Sequence, residues 1–112
     1  MTPPDDIRVR HMVEAAQKAA EFSRNRSRKD VDTDELLRLA LTKLVEIVGE
    51  AAKHAGEETR KRYPKVLWVE AARDRLVHHY FDINLDILWS TVNEDLPALL
   101  EALGGPEDES RP

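Results

Sequence analysis

Apolar residues recur at intervals of three and four positions along most of this chain, and that recurrence is typical of amphipathic helices. No alternating apolar and polar run is long enough to predict a strand. The pattern predicts four helices, which span residues 5 or 6 to about 26, 32 or 33 to about 63, 66–69 to about 80, and 85 to about 103.

Each predicted helix carries an apolar stripe that would face a shared core. The stripe of the first helix comprises Ile7, Val9, Met12, Val13, Ala16, Ala19, Ala20 and Phe22. That of the second comprises Leu37, Leu41, Leu44, Val48, Ala51 or Ala52 and Ala55. That of the third comprises Trp68, Ala71, Ala72, Leu76 and Val77. The fourth stripe comprises Leu85, Leu88, Trp89, Val92, Leu96, Leu99, Leu100 and Leu103. Trp68, Trp89 and Phe81 are most simply core or dimer-interface residues.

Prolines and glycines set the expected boundaries. Pro64 disfavours helix at the preceding residue and ends the second helix, and Asn84 or Asp82 is expected to cap the fourth. Pro97 predicts either a kink in the fourth helix or a fresh start with Asp95 as cap. Residues 1–103 are therefore expected to form one all-α domain, an up-and-down four-helix bundle, and residues 104–112 a disordered acidic tail.

Composition narrows the classes of function. The chain has 112 residues, with 17 basic and 22 acidic residues and a net charge of −5, which argues against non-specific coating of nucleic acid but not against a local basic cleft. The absence of cysteine excludes disulfide frameworks, thiolate nucleophiles and cysteine-based zinc sites. With no apolar signal core and no membrane span in the sequence, we expect a soluble, cytoplasmic protein.

The stretch "RDRLVHHYF" gathers the candidate chemistry. Arg73 and Tyr80 are seven positions apart and fall on almost the same side of a helix. Asp74 and His78 are four apart, so that the carboxylate can orient the imidazole, whereas Arg73 and His78 diverge by roughly 140° on an ideal helix. Those last two converge only if the helix bends or a groove wraps round it.

An arginine beside a histidine suits reaction at a phosphodiester. The guanidinium holds phosphate oxygens and stabilises the charge of the transition state, while the imidazole moves a proton near neutral pH. Both residues also have possible structural roles. Arg73 can form a surface ion pair with Glu70 or Asp74, and His78 can lie at a helix end, where its positive charge interacts favourably with the helix dipole. Tyr80 can bind phosphate or a base, or can simply be a half-buried aromatic residue.

The surrounding sequence adds a family resemblance. "IVGEAAKH", followed by "YPKVLWVEAARDRLVHHYFDINLDILWSTVNEDLP", resembles the HepT-like branch of the HEPN superfamily, whose members are small four-helix proteins with an R-x4-H-x-Y motif. The likeness covers residues 45 to about 103 well, and the first helix only in character.

The resemblance implies a ribonuclease toxin paired with a minimal nucleotidyltransferase antitoxin of the MntA type. On this analogy Arg73 and His78 are the catalytic pair, and the antitoxin silences the enzyme by adenylylating Tyr80. It also implies a homodimer in which the motifs of two protomers face one cleft. Two positions depart from the family pattern, because Asp74 replaces the usual asparagine and His79 the usual glycine. Asp74 either repels RNA phosphate or orients His78, and His79 is a spare base or a surface side chain.

Other charged groups have plainer interpretations. The first basic group comprises Arg24, Arg26, Arg28 and Lys29. It is either a solvated loop or a surface that guides RNA, or an acidic antitoxin, towards the cleft. The second basic group, Arg60 to Lys65, lies at the predicted C-terminus of a helix, where positive charge is favourable. Glu50 with His54, and Asp74 with His78, lack the Glu-x-x-His spacing of di-iron bundles, so we expect no metal and no cofactor.

Two functional hypotheses remain. The first is a dimeric, metal-independent endoribonuclease that uses Arg73 and His78 and is controlled through Tyr80. The alternative is a catalytically weak module that binds a nucleotide or a nucleotidyltransferase partner, which Asp74 and the acidic total motivate.

Overall fold

The structure, a computed structural model, describes residues 3–72 and 84–104, and every regular element in these two ranges is helical. In chain order the elements are α1 (Pro3–Ser23), α2 (Arg28–Thr33), α3 (Glu35–Lys53), α4 (Glu57–Arg62), α5 (Trp68–Ala72), α6 (Leu85–Ser90) and α7 (Leu96–Leu103). A π-helical turn, Thr91–Asp95, joins α6 to α7. The prediction of an all-α fold is confirmed, and the arrangement is consistent with a helical bundle.

α3 is the central helix of the described part. It packs mainly against α1 and α5, while α7 and the π turn pack against α1. The apolar stripe predicted for this region is buried throughout and comprises Leu37, Leu41, Leu44, Val48, Ala51, Ala52 and Ala55. Leu88, Val92, Leu96, Leu99 and Leu103 close the core from the C-terminal helices. Regular spacing of large apolar residues was therefore enough to predict these two faces.

α1 buries smaller residues than its sequence pattern predicted. Met12, Ala16 and Ala19 are fully buried, whereas Ile7 and Phe22 are 39% and 42% exposed. Alanines let two helix backbones approach closely, so the contact with α3 centres on them and not on the larger side chains near the two ends of α1.

The region predicted as one long second helix is divided into separate elements. Asp34, not Asp32 or Thr33, is the N-cap of α3, and its side chain accepts a hydrogen bond from Leu37 N. α3 ends at Lys53, and α4 begins anew with Gly56 as its N-cap. Glycine is a poor helix former, which explains why the helix stops before it. Pro64 follows the end of α4, as expected.

The fourth predicted helix passes through Pro97 without ending. Pro97 is the second residue of α7, which follows directly on the π turn. Just before it, Leu96 N donates to Thr91 O across a widened turn. Proline clashes with the carbonyl four residues earlier, and the π turn relieves that crowding. Asp95 is helical and makes no side-chain cap, so the fresh-start alternative is wrong.

α7 ends where the double glycine predicts, with Gly104 as its C-cap. Residues 105–112, the predicted acidic tail, lie outside the described residues. Among the helices of the two described ranges, none combines the length and apolar character that a bilayer crossing requires.

Candidate active site

The residues predicted to carry the chemistry lie outside the described part of the chain. These residues, with their neighbours in the same gap, are Arg73, Asp74, His78, His79, Tyr80, Phe81 and Asp82. The structure describes the chain on both sides of them: α5 is described as far as Ala72, one residue before the predicted catalytic arginine, and the description resumes at Asn84, four residues after the predicted modified tyrosine. We call residues 73–83 the motif segment.

The helix that precedes the motif segment, α5, is anchored through Trp68. Its side chain is buried, and the indole Nε1 donates a hydrogen bond of 3.0 Å to Tyr63 O. The Arg60 guanidinium lies 5.6 Å from the centre of the indole ring and donates a hydrogen bond of 3.1 Å to Ala52 O. One arginine thus ties the start of α5 to the end of α3, which explains Arg60 better than a helix-dipole role alone.

Small residues bring α5 close to α3. A Cβ placed on Gly49 would lie 3.7 Å from Ala71 O, which is ordinary van der Waals contact. The backbone just before Arg73 therefore rests directly against the central helix.

The C-terminal end is anchored by a helix cap. Asn84 Oδ1 accepts hydrogen bonds of 3.0 Å from Asp86 N and 3.1 Å from Ile87 N, as predicted for one of the two candidate caps. Leu88, one turn further on, is fully buried. The start of α6, directly after the motif segment, is thus fixed both by the Asn84 cap and by the burial of Leu88 in the core.

A cavity of about 490 Å³ lies beside α5. Val45 and Val48 of α3 line it, together with other apolar residues that include Ala71 and Leu99. Leu67, a lining residue that directly precedes α5, is 72% exposed, and Val69 in α5 is 73% exposed. An apolar recess with exposed apolar side chains at its edge is typical of a surface that another molecule covers.

Two arginines of the basic cluster at residues 24–29 form ion pairs with aspartates of the same chain. Arg26 donates hydrogen bonds of 2.8 Å to Asp34 Oδ2 and 3.4 Å to Asp30 Oδ2. Arg28 Nε donates a hydrogen bond of 2.8 Å to Asp86 Oδ1. Arg24 and Lys29 are exposed. Two of the four residues predicted to contact RNA therefore already neutralise carboxylates.

These pairs shift the ionisation of both partners. The hydrogen bond to Asp34 raises the pKa of Arg26, and that to Asp86 raises the pKa of Arg28. The same Arg26 contact is the main reason that the pKa of Asp34 is lowered. For Asp30, the Ser27 backbone N–H is the main cause of a lowered pKa. Each group is held in its charged form.

The contact of Asp86 with Arg28 and the structural role of Arg60 were not predicted from the sequence. The Arg26–Asp30 pair is spaced i, i+4 and could have been predicted. Arg28 and Asp86 are 58 positions apart, and no local pattern connects them. His54 is the C-cap of α3, and its Nδ1 lies 3.0 Å from Glu50 O and 3.8 Å from Glu50 Oε2. In the described ranges, no three potential metal-binding side chains cluster together.

Comparison with known proteins identifies the family. The ribonuclease HepT-like family matches residues 12–104, from the buried part of α1 to the end of α7. The chain belongs to this family. The HepT-like match spans the motif segment and both of its anchors, and it confirms the resemblance to HEPN proteins that the sequence predicted.

Individual relatives agree with the HepT-like assignment. A probable ribonuclease HepT of Thermococcus cleftensis is 36% identical over 90 residues, covering 79% of this chain and 82% of the relative. A putative RNase of Caldanaerobacter subterraneus is 34% identical over 93 residues, covering 81% and 83%. A putative RNase of Methanocaldococcus jannaschii is 31% identical over 90 residues, covering 79% and 83%. No solved structure matches the chain significantly. The family and the names of these relatives indicate an enzyme, a ribonuclease of the HEPN type.

Proposed function

We propose that this chain is a metal-independent endoribonuclease and the toxin of a toxin–antitoxin pair. The observation that carries the proposal is the family match over residues 12–104, which encloses an intact R-x4-H-x-Y motif at Arg73, His78 and Tyr80. The described neighbours of this motif support the proposal, because α5 before it packs on α3 and Asn84 after it caps α6.

The proposed reaction needs only groups that RNA and this chain supply. The ribose 2′-hydroxyl attacks the neighbouring phosphorus, and the 5′-oxygen of the next nucleotide leaves. Arg73 stabilises the additional negative charge on the phosphate oxygens, and His78 moves the proton between the attacking and leaving oxygens. The products are a 2′,3′-cyclic phosphate, which hydrolysis opens to a 3′-phosphate, and a 5′-hydroxyl end.

Asp74 is proposed to support His78. A carboxylate four positions before a histidine on a helix can accept a hydrogen bond from one ring nitrogen and set the tautomer. The same negative charge repels approaching phosphate, so it affects the rate more than the type of reaction.

Control is proposed to act at Tyr80. A nucleotidyltransferase antitoxin would transfer the adenylyl group of ATP to the phenolic oxygen of this tyrosine, with loss of the phenolic proton and release of pyrophosphate, placing a phosphate near Arg73 and a nucleotide in the cleft. Substrate RNA would then be excluded by both repulsion and volume.

A homodimer is proposed as the active form. Arg73 and His78 diverge by roughly 140° on an ideal helix, and a groove shared by two protomers would gather residues that diverge on one. The exposed Leu67 and Val69, which lie just before the motif segment, support an apolar contact between protomers on this side. Arg24 and Lys29 are proposed to guide RNA towards the cleft, because both are exposed.

The central test is RNA cleavage by variants of the motif. We expect Arg73→Ala and His78→Ala each to lower the rate by at least about 100-fold with the fold retained, since each removes a group that acts in the transition state. Wild-type cleavage should survive EDTA and leave cyclic or 3′-phosphate ends. Arg10→Ala and His11→Ala, which remove the same side-chain types from an exposed part of α1, are the matched controls and should cleave normally.

Equal cleavage by the wild type and both motif variants would remove the assigned site. The alternative, a binding module, is motivated by Asp74 and the net charge of −5. It would be favoured by tight nucleotide or nucleotidyltransferase binding with no cleavage of any RNA offered.

A further inference from the structure

Three lysines lie where α3, α4 and α5 follow one another along the chain. Lys53 is the last residue of α3, Lys61 lies in α4, and Lys65 lies in the connection from α4 to α5. All three are exposed. Residues 53–65 contain five lysines and arginines but only two acidic residues, so this stretch is positive in a chain whose net charge is −5. We call these three lysines the basic corner.

The contacts of Arg60 bring the parts of the basic corner together. Its guanidinium donates a hydrogen bond of 3.1 Å to Ala52 O at the end of α3, and it lies 5.6 Å from the centre of the Trp68 ring at the start of α5. The Trp68 indole donates in turn to Tyr63 O, just after α4. The ends of α3 and α4 and the start of α5 therefore lie close together, and the lysines share one surface.

The ion pairs among the described residues use none of the lysines of the basic corner. Those pairs involve Arg26, Arg28 and His54 as the basic partners. Two of the four cations in the cluster at residues 24–29 are thus already neutralised by aspartates, whereas the basic corner keeps its charge for a partner outside the described ranges.

The helix dipole accounts for only part of this group. Lys53 and Lys61 lie in the last turns of α3 and α4, where a cation interacts favourably with the helix C-terminus. The dipole effect falls off within the last turn, and Lys65 lies three residues beyond the end of α4. The described contacts therefore give Lys65 no role in holding the fold together.

From this arrangement we infer that the basic corner binds phosphates of the RNA substrate. The inference rests on the proposed function, which supplies the class of ligand. A polyanion needs a local positive surface on a chain that is acidic overall, and lysine binds phosphate as a point charge without a fixed geometry. α5, which follows the basic corner, has five residues and is about 7.5 Å long, so a few nucleotides of RNA can reach from the corner to the end of α5.

Binding of a single-stranded RNA with methylated 2′-hydroxyls tests the inference, because this RNA lacks the proposed nucleophile and cannot be cleaved. We expect the double variant Lys61→Gln, Lys65→Gln to raise its Kd about tenfold in fluorescence anisotropy. Each phosphate contact with a single strand contributes about 0.7 to the slope of log Kd against log salt, so that slope should fall by about 1.4. The double variant Lys61→Arg, Lys65→Arg should keep both values, since it keeps both charges.

The double variant Lys18→Gln, Lys43→Gln is the matched control. It removes two exposed lysines from α1 and α3 and changes the net charge by the same amount, so its Kd should stay within about twofold of the wild type. An equal loss of affinity in this control, or an unchanged Kd and slope in the variant of the basic corner, would overturn the inference. Loss of polyglutamate binding with unchanged RNA binding would assign the corner to an acidic protein surface and would also overturn it.

Cleavage of ordinary RNA separates this inference from the proposed function. In the basic-corner glutamine variant KM should rise about tenfold with kcat nearly unchanged, because contacts to non-reacting phosphates stabilise the ground state and the transition state alike. If the wild type cleaves no RNA but the variant still loses affinity, the ribonuclease proposal fails and the RNA-binding surface stands. If the wild type cleaves RNA and the variant binds it equally well, the surface fails and the ribonuclease stands.

Discussion

Single side chains fix the chain on both sides of the motif segment. Asn84 accepts hydrogen bonds from two backbone N–H groups of α6. The indole N–H of Trp68, the first residue of α5, donates a hydrogen bond to Tyr63 O. Both contacts are local in sequence, and the cap was predicted from residue type. Arg28 and Asp86 could not be predicted in this way, because a contact over 58 positions depends on how α2 and α6 pack.

Asn84→Ala should reduce the free energy of unfolding by about 1 kcal/mol, because the first turn of α6 loses its only side-chain cap among the described contacts. Urea unfolding followed by circular dichroism measures this change. Asn84→Asp should keep most of the stability, since aspartate also caps. Asn93→Ala, an exposed asparagine in the following π turn, is the control and should stay within about 0.5 kcal/mol of the wild type. Equal losses at both asparagines would contradict the assigned cap.

At the scale of elements, the connections between helices differ more from expectation than the helices themselves. The long second helix became α3 and α4, with a separate α2 before them, although the apolar stripe of α3 continues to Ala55. The spacing of apolar residues predicts which side of a helix faces the core, but it does not predict at which residue the backbone hydrogen bonds of the helix end. The break at Gly56 and the π turn before Pro97 each have a local cause, but their form depends on the packing around them.

The joint between α2 and α3 should make stability depend on pH. The Asp34 carboxyl has a lowered pKa, chiefly because of the hydrogen bond from Arg26. Its unfolded value is about 4, so its contribution is complete above that pH and disappears as pH falls through the folded value. Asp34→Asn keeps a capping residue but removes the charge. We therefore expect the wild type to be more stable than the variant by a constant margin from about pH 7 to 5, and by less below about pH 4.

Urea unfolding at four pH values between 7 and 3 would measure that margin. Glu46→Gln, on the exposed face of α3, is the control for removing one negative charge elsewhere on the same helix. A margin that is independent of pH, or one that grows on acidification, would show that the Arg26–Asp34 contact does not stabilise the charged carboxylate.

The whole molecule combines a buried core around α3 with an uncovered apolar surface beside α5. Leu67 and Val69 are about three-quarters exposed next to a cavity of about 490 Å³, immediately before the motif segment. In a small protein, exposed apolar side chains beside such a recess favour association with another protein surface. The proposed homodimer would cover this side and place two motif segments near each other.

Light scattering should therefore give a mass twice the 12.8 kDa of one chain. Leu67→Glu should shift the protein towards the monomer and lower RNA cleavage at least about tenfold, because a charge in an apolar contact disfavours association. Leu36→Glu places the same charge at another highly exposed leucine, on α3, and should change neither property. A fully active monomer, or an unaltered mass in Leu67→Glu, would contradict the dimer proposed on this face.

The sequence by itself determined the helical class, the buried faces of α3 and of the C-terminal helices, the Asn84 cap and the family. These follow from local spacing, from residue type at helix ends, and from a motif that is contiguous in the chain. Only the tertiary structure decided which cations of the basic cluster are neutralised, how Arg60 and Trp68 anchor α5, and which face remains uncovered. Each of these depends on side chains brought together from distant positions, and their distances are set by packing and not by periodicity.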